Sequence, residues 1–399
     1  MQGRLEAARH VVGAPTSGIR DLFALASTIP ECIHLELGQP DFRTPSHICE
    51  AAKWAIDAGD HGYTPTKGIP ALLDLITEKL ARVNGHDVSV DQVLIGNGGT
   101  SLLAGAVLAV CEPGDEILIS NPYWPTLRTI VALAGARAVL YRCPREQDYQ
   151  PDLDHLSAQI SPRTKAIVIN SPNNPTGAVY SGEMLARIGE IAAAAGVWVI
   201  SDECYDQIML DGTAAAPSAA TFMDPDRSIT AMAFSKTYAM TGWRIGYGFA
   251  SSDVVTQMLK VADATNSCIN TISQRAAQGA LQGPQDCIDQ MTASYRDRLQ
   301  LSQKWLSEEG IPGNDPSGAF YLMADVSTSG LSSHEFATRM LLEHGVAVAP
   351  GSAFGSAAEG AVRISLASAA TDLRKGISRM GELLRSAAAG RVQPHMVKE

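Results

Sequence analysis

The sequence predicts an α/β protein: a large domain built on a mostly parallel sheet covered by helices, joined to a smaller α+β domain. Two observations predict it. Between residues 93 and 250, short β-branched and apolar runs alternate with longer segments of helical periodicity. Those runs are apolar throughout, as befits strands buried on both faces of a parallel sheet. Beyond residue 285 the rhythm changes to long amphipathic helices separated by single short strands. The expected division is therefore 1–44 as an N-terminal arm and part of the small domain, 45–285 as the large domain, and 286–399 as the small one.

Taken in order, strands are expected at 93–95, 116–119, 138–141, 166–169, 197–200, 229–234 and 244–250. Helices are expected at 101–110, 125–133, 182–195 and 253–264. In the smaller domain the pattern predicts a helix over 286–309, a strand at 319–323, a helix at 333–344, strands at 346–349 and 361–366, and a closing helix near 371–388. The stretch after Gly390 reads as a frayed tail.

The chain has 399 residues, 45% of them hydrophobic and 18% charged, which fits a globular enzyme and argues against disorder. Its 31 basic and 42 acidic side chains give a net charge of −11 with no basic cluster, which speaks against nucleic acid or an anionic membrane as partner. Seven scattered cysteines without a CxxC pair read as reduced thiols of a cytoplasmic protein. Nine histidines form no HxxxH or HExxH pattern, so no metal site is expected. The first thirty residues lack a signal-peptide core, and apolar runs near ten residues are too short to span a bilayer.

The chemistry gathers where strands deliver their C-terminal ends, the usual ligand edge of a parallel sheet. Gly98, Gly99 and Thr100 follow the first strand and open a helix. Asn174 sits in NSPNNPTG after 166–169. Asp202 and Tyr205 follow 197–200, and Ser235 and Lys236 follow 229–234. Each has an ordinary reading alone: Asp202 as a helix N-cap, the glycines and Asn174 as turns, Lys236 as a solvated lysine. Their recurrence at successive strand ends is what needs explaining. The glycines are not a full GxGxxG, so a nicotinamide fold has little support.

A phosphorylated pyridine aldehyde would use all of them. Backbone N–H groups at a helix start, with Gly99, Thr100, Ser235 and Arg244, suit a phosphate. A buried Asp202 would keep the pyridine nitrogen protonated as an electron sink, and Tyr205 and Asn174 could reach the ring hydroxyl. Lys236 is the one lysine at a strand end, and a neutral amine there could form an imine with the aldehyde.

With these residues in place, the sequence resembles the fold-type I pyridoxal-phosphate enzymes of the class I/II aminotransferase superfamily, nearest the aspartate and aromatic aminotransferase branch. The resemblance covers nearly the whole chain: LGQPDF at 37–42, YTP at 63–65 with Gly68, GGT at 98–100, PYW at 122–124, NPTG at 174–177, DECY at 202–205, SKT at 235–237 with GWR at 242–244, and RIS at 363–365.

The resemblance implies pyridoxal 5'-phosphate as cofactor, with Lys236 as its Schiff-base lysine and proton carrier, Asp202 on the pyridine nitrogen, and Tyr205 and Asn174 on the ring oxygen. It implies Trp124 against the ring and Gly99, Thr100, Ser235 and Arg244 around the phosphate. Arg363, with Gly38, Trp124 and Asn174, would take the substrate, the planar fork of Arg363 suiting an α-carboxylate. Tyr63 would reach the phosphate of a neighbouring subunit, implying a homodimer with shared sites. The implied reaction moves the amine of an L-amino acid to a 2-oxo acid by a ping-pong mechanism. A lyase or cyclase on the same scaffold is the alternative, because Lys236 and Asp202 would serve both. Some relatives carry a lysine where this chain has Thr100, and use it to recognise an acidic side chain. Its absence leaves the donor amino acid open, with Arg20 and Arg275 as candidate cations.

Overall fold

In the computed structural model the described residues are 7–16 and 18–390, without the side chains of Arg9, Arg20, Asp21 and residues 388–390. The expected tail after Gly390 and the side chain of Arg20 thus lie outside the description. The strands are β1 (Ile33–His34), β2 (Val93–Gly96), β3 (Glu116–Asn121), β4 (Arg137–Arg142), β5 (Thr164–Asn170), β6 (Trp198–Asp202), β7 (Ser228–Ala233), β8 (Gly246–Ala250), β9 (Tyr321–Asp325), β10 (Val346–Ala347), β11 (Ala349–Pro350) and β12 (Ala361–Ser365).

Seven strands form the main sheet, in the order β2-β8-β7-β6-β5-β3-β4. β3, β4, β5, β6 and β7 pair in parallel, while β8 runs antiparallel to both β2 and β7. β2, β3, β7 and β8 are buried along their whole length, which is why their sequences are apolar on both faces. The edge strand β4 alternates exposed and buried positions instead. Side chains alternate across the sheet: Ile117, Ile119, Ala166, Val168 and Ile200 pack on one face, Leu118, Ile167, Ile169 and Val199 on the other. Helices cover both faces. The one over Gly182–Ala195 starts on Ser181, whose hydroxyl accepts the Met184 N–H at 3.1 Å, a cap worth ~1 kcal/mol.

The second layer is a three-stranded antiparallel sheet, β11-β12-β9, beside the short parallel pair β1 and β10. Its core gathers Leu22 and Leu35 from the N-terminal part with Tyr295, Phe320, Phe336, Ile364 and Leu373 from the C-terminal part. Leu22 and Leu35 of the N-terminal part thus pack with residues of the C-terminal third.

Among the bounds that depart from the sequence expectation, two have a plain cause. The strand expected over 346–349 is two, because β10 pairs in parallel with β1 while β11 turns to pair antiparallel with β12. The strand expected from residue 244 begins at Gly246, because Arg244 adopts a left-handed backbone (φ 52°) that cannot continue a ladder.

Register sets the chemistry. Asn170 lies opposite Asp202, and Asp202 opposite Ala231, so the C-terminal ends of β5, β6 and β7 are level. Gly96 and Ala233 both face Gly246, which brings the glycine turn after β2 to the same edge.

Candidate active site

A cavity of about 390 Å³ opens at this edge, walled by Gly99, Thr100, Trp124, Asn174, Asp202, Tyr205, Ser235, Lys236 and Arg244 from the main sheet, and by Gly38, Tyr321 and Arg363 from the second layer. The structure thus brings together every expected site residue except one. Tyr63 is 95% exposed and lies outside the cavity of its own chain. Of the candidate cations, Arg275 pairs with Asp60 at 2.5 Å, away from the cavity.

Lys236 follows β7 in a single helical turn, Phe234–Thr237, and its ammonium donates to the Gly38 carbonyl. Burial is the main reason its amine falls from the usual 10.5 to about 8; nearby Cys204 and Asp202 hold it up, and Arg363 and Arg244 push it down. Asp202 ends β6 at 8% exposure, and the Cys204 N–H donates to its Oδ1 at 3.2 Å. Burial raises the Asp202 pKa because so little compensates the carboxylate charge.

The turn that carries Asp202 and Tyr205 is anchored from behind. The buried Lys79 Nζ meets Asp206 Oδ2 at 2.5 Å and Asn84 Oδ1 at 2.7 Å. Glu203 accepts from Ser201 Oγ at 2.8 Å and Ala219 N–H at 2.9 Å, yet burial still lifts it to about 7. Asp41 makes a two-pronged pair with Arg298, both contacts at 2.8 Å, which fixes the segment bearing Gly38 against the helix Asp286–Glu308.

The glycine turn has no room for side chains. Gly98 has φ +76°, and a Cβ there would stand 2.6 Å from Arg244 Nη2; one on Gly99 would meet Cys204 Sγ at 2.4 Å. Gly98 is the N-cap of the helix Gly99–Val110, so its first free N–H groups face the cavity edge beside Thr100 and Arg244. Arg244 is braced by the carbonyls of Thr241 at 2.9 Å and Asn97 at 3.4 Å. On the opposite wall Arg363 is 4% exposed; its Nη1 donates to Asn174 Oδ1 at 2.7 Å, its Nη2 to the Glu36 carbonyl, and its Nε has no partner among the described residues.

These observations fit pyridoxal phosphate. A buried carboxylate with one weak donor suits a pyridinium. A desolvated amine suits an aldehyde carbon. A helix start beside an arginine suits a phosphate, and a buried guanidinium with spare donor capacity suits a carboxylate.

Two residues beside the site were read in the sequence only as strand or motif members. The Tyr321 hydroxyl lies 2.7 Å from that of Tyr205, its ring sits under the Arg363 guanidinium at 4.2 Å, and its Oη is what a Cβ on Gly38 would strike, at 2.5 Å. Cys204 lies between Gly99, Asp202 and Lys236, and burial pushes its thiol well up. The signal for Cys204 was its place between Asp202 and Tyr205. For Tyr321 it was the strand 319–323, whose pairing with the Arg363 strand is not local. Among the described residues, no group of three or more His, Cys, Asp or Glu could hold a metal, and no helix is long and apolar enough to cross a membrane.

Comparison with known proteins agrees with this geometry. The family described as aminotransferase class I and II matches residues 30–380. The aspartate aminotransferase of Pyrococcus abyssi is 38% identical over 92% of this chain and 96% of its own. The aromatic-amino-acid aminotransferase 2 of Thermococcus litoralis is likewise 38% identical over 92% of this chain and 96% of its own. The solved structure of aspartate aminotransferase from Thermus thermophilus with maleate superposes with a TM-score of 0.91 at 34% identity, covering 95% of this chain and 100% of that one. None of these favours the lyase or cyclase alternative. The chain belongs to the class I and II aminotransferase family, as a fold-type I, pyridoxal-phosphate-dependent aminotransferase whose substrates are an amino acid and a 2-oxo acid.

Proposed function

We propose that the cavity moves the amino group of an L-amino acid to a 2-oxo acid in two half-reactions, with Lys236 as cofactor attachment and proton carrier. The observation that carries this reading is a buried amine, lowered to about 8, in the same cavity as a buried carboxylate at the adjacent strand end. Pyridoxal phosphate, when bound, supplies the electron sink that lets the α-proton leave. Lys236 then has two tasks: to present an amine that gives up its proton near pH 8, and to accept and return the proton at Nζ. Asp202 supplies the negative charge that keeps the pyridine nitrogen protonated. Tyr205 presents its hydroxyl to the ring oxygen, with Asn174 beside it, and Trp124 covers the ring.

Arg363 receives the substrate α-carboxylate, exchanging its bond to Asn174 for two to the ligand, with Gly38 lining the approach. Gly99, Thr100, Ser235 and Arg244 hold the phosphate. Residues 45–285 act as one domain and 286–399, with the arm 1–44, as a second that closes over substrate and excludes water.

The donor we propose is neutral, with an apolar or aromatic side chain. Ile19, Phe23, Leu37 and Leu103 wall the cavity, and among the described residues its cations Lys236, Arg244 and Arg363 already have roles. Thr100 at the position of an acid-recognising lysine supports the same choice. The chain is proposed to work in the cytoplasm as a homodimer, with the exposed Tyr63 completing the partner's phosphate site. Tyr63→Phe should then weaken cofactor retention, and a fully active monomer would contradict the shared site.

Half-reaction spectroscopy tests the substrate reading: the purified protein, mixed with single L-amino acids, should lose its visible absorbance faster with phenylalanine, tyrosine or leucine than with aspartate. Faster conversion by aspartate overturns the donor preference. Borohydride reduction should add the cofactor mass to the peptide holding Lys236. An unmodified peptide removes the reading altogether.

A further inference from the structure

We infer that Tyr321 is a positioning residue for the reaction: its hydroxyl orders that of Tyr205, and its ring orders the guanidinium of Arg363. The inference rests on the proposed roles of those two residues and adds the group that couples them.

The geometry is specific. Tyr321 is the first residue of β9, 1% exposed, and lies opposite Ser365 of β12, two residues along from Arg363. Its Oη is 2.7 Å from Tyr205 Oη, and neither hydroxyl has another hydrogen-bond partner among the described residues. Two hydroxyls that share one hydrogen bond keep one proton to give away. Either can be the donor within the pair, so whatever faces them decides which. Tyr321 Oη is packed against Gly38, whose carbonyl accepts from Lys236, and among the described residues its one hydrogen bond is to Tyr205. Tyr205 faces the cavity. An acceptor oxygen there draws the Tyr205 proton outward, and Tyr321 must then donate to Tyr205.

The pair thereby works as a two-hydroxyl chain that delivers a single, polarised donor to the ring oxygen. The same tyrosine ring lies 4.2 Å below the Arg363 guanidinium carbon, with Phe354 at 4.8 Å. Arg363 is thus held flat, so that its fork keeps one plane while Asn174 is exchanged for a carboxylate.

Two substitutions separate the two roles. Tyr321→Phe removes the oxygen and keeps the ring; Tyr321→Leu removes both. Two readouts on the cofactor-loaded protein follow them without turnover. The first is the pH midpoint of the visible absorbance of the resting protein. The second is the dissociation constant of 3-phenylpropionate, a carboxylate without an amine to react.

Tyr321→Phe should raise the midpoint by roughly 0.2–0.6 pH unit, because a less polarised Tyr205 stabilises the ring oxyanion less, and should leave 3-phenylpropionate binding within about twofold. Tyr321→Leu should in addition weaken 3-phenylpropionate roughly 3- to 30-fold. In a Tyr205→Phe background, Tyr321→Phe should move the midpoint by less than about 0.1 unit, since the hydroxyl it served is gone. A midpoint unchanged by Tyr321→Phe, or shifted equally in both backgrounds, overturns the hydroxyl chain. If Tyr321→Leu does not fold, Tyr321→Phe alone still decides it. A wild-type protein with no visible band would instead remove the cofactor reading itself, and this inference with it.

Discussion

Replacing Lys236 by methionine should stabilise the cofactor-free protein at neutral pH while abolishing its function. In that state Lys236 is a buried cation with the Gly38 carbonyl as its hydrogen-bond acceptor. Its fall from 10.5 to about 8, at ~1.4 kcal/mol per pH unit, means that folding disfavours the ammonium by roughly 3 kcal/mol. The sign follows from linkage. Between pH 8 and 10.5 the unfolded chain holds a proton that the folded chain has lost, so wild-type stability rises with pH across that window. Below pH 8 the full penalty is present. Methionine fills nearly the same volume without a charge, so the variant escapes the penalty.

The expected advantage is therefore about 2–3 kcal/mol at pH 7, shrinking toward the small apolar difference as pH approaches 10.5. Urea denaturation of both cofactor-free proteins at pH 7 and pH 10, followed by circular dichroism, measures it directly. Titrating groups that do not feel Lys236 are shared by the two proteins and cancel in the comparison; Asp202 and Cys204 do feel it, and losing that cation offsets part of the gain. A variant less stable than wild type at pH 7, or an advantage equal at both pH values, would refute the claim that burial sets the lysine's ionisation.

Three further outcomes test the site. Reconstitution of the cofactor-free protein with pyridoxal phosphate should speed up about tenfold per pH unit below pH 8 and then level off, as Lys236 becomes a neutral nucleophile; a rate flat from pH 6.5 to 9, followed by visible absorbance on mixing, speaks against that amine. Asp202→Asn should lower kcat on the order of 10²- to 10³-fold while the protein still folds, and a loss under about fivefold in steady-state assays would release Asp202 from its role on the pyridine nitrogen. Arg363→Lys keeps the charge but loses the fork, so KM for the amino acid should rise roughly 10- to 100-fold with a smaller change in kcat; an unchanged KM would place carboxylate recognition elsewhere.

What could be read from the chain follows from how local each signal is. The strands of the main sheet are legible because burial on both faces makes 166–169 apolar without interruption and 229–234 apolar but for Thr230. Asp202 and Lys236 are legible because polar residues directly after such strands have few structural reasons to be there. The register that levels Asp202 with Asn170 and Ala231 cannot be seen in sequence, yet it is what turns separate strand ends into one cavity. Tyr321 was illegible for a related reason. Within Phe320, Tyr321, Leu322 and Met323 it looks like core, and only the antiparallel pairing of β9 with β12 sets it beneath Arg363. The left-handed backbone of Arg244 likewise depends on a turn that brings its guanidinium against Gly98, from a distant part of the chain that no local pattern reveals.

The contacts that join the two layers at the cavity divide by what a ligand would do to them. Lys236 to the Gly38 carbonyl and Arg363 to Asn174 each occupy a group that the proposed cofactor or substrate also needs. Binding must exchange them, so the protein–protein bonds act as placeholders that satisfy buried donors and lower the desolvation cost of the open site. The Tyr205–Tyr321 bond involves no group the substrate claims, so it can persist through the exchange, while the Arg298–Asp41 pair lies within the second layer and holds the Gly38 segment there. A persistent link near a site restricts how two layers can move relative to each other, and this one lies on the Gly38 side of the cavity. If the second layer closes over substrate as proposed, a motion that keeps this bond would pivot near Tyr321 and carry β9 and β12 together, because their pairing sets Tyr321 under the Arg363 guanidinium. The buried tyrosine pair would then serve closure as well as the electronics of the ring.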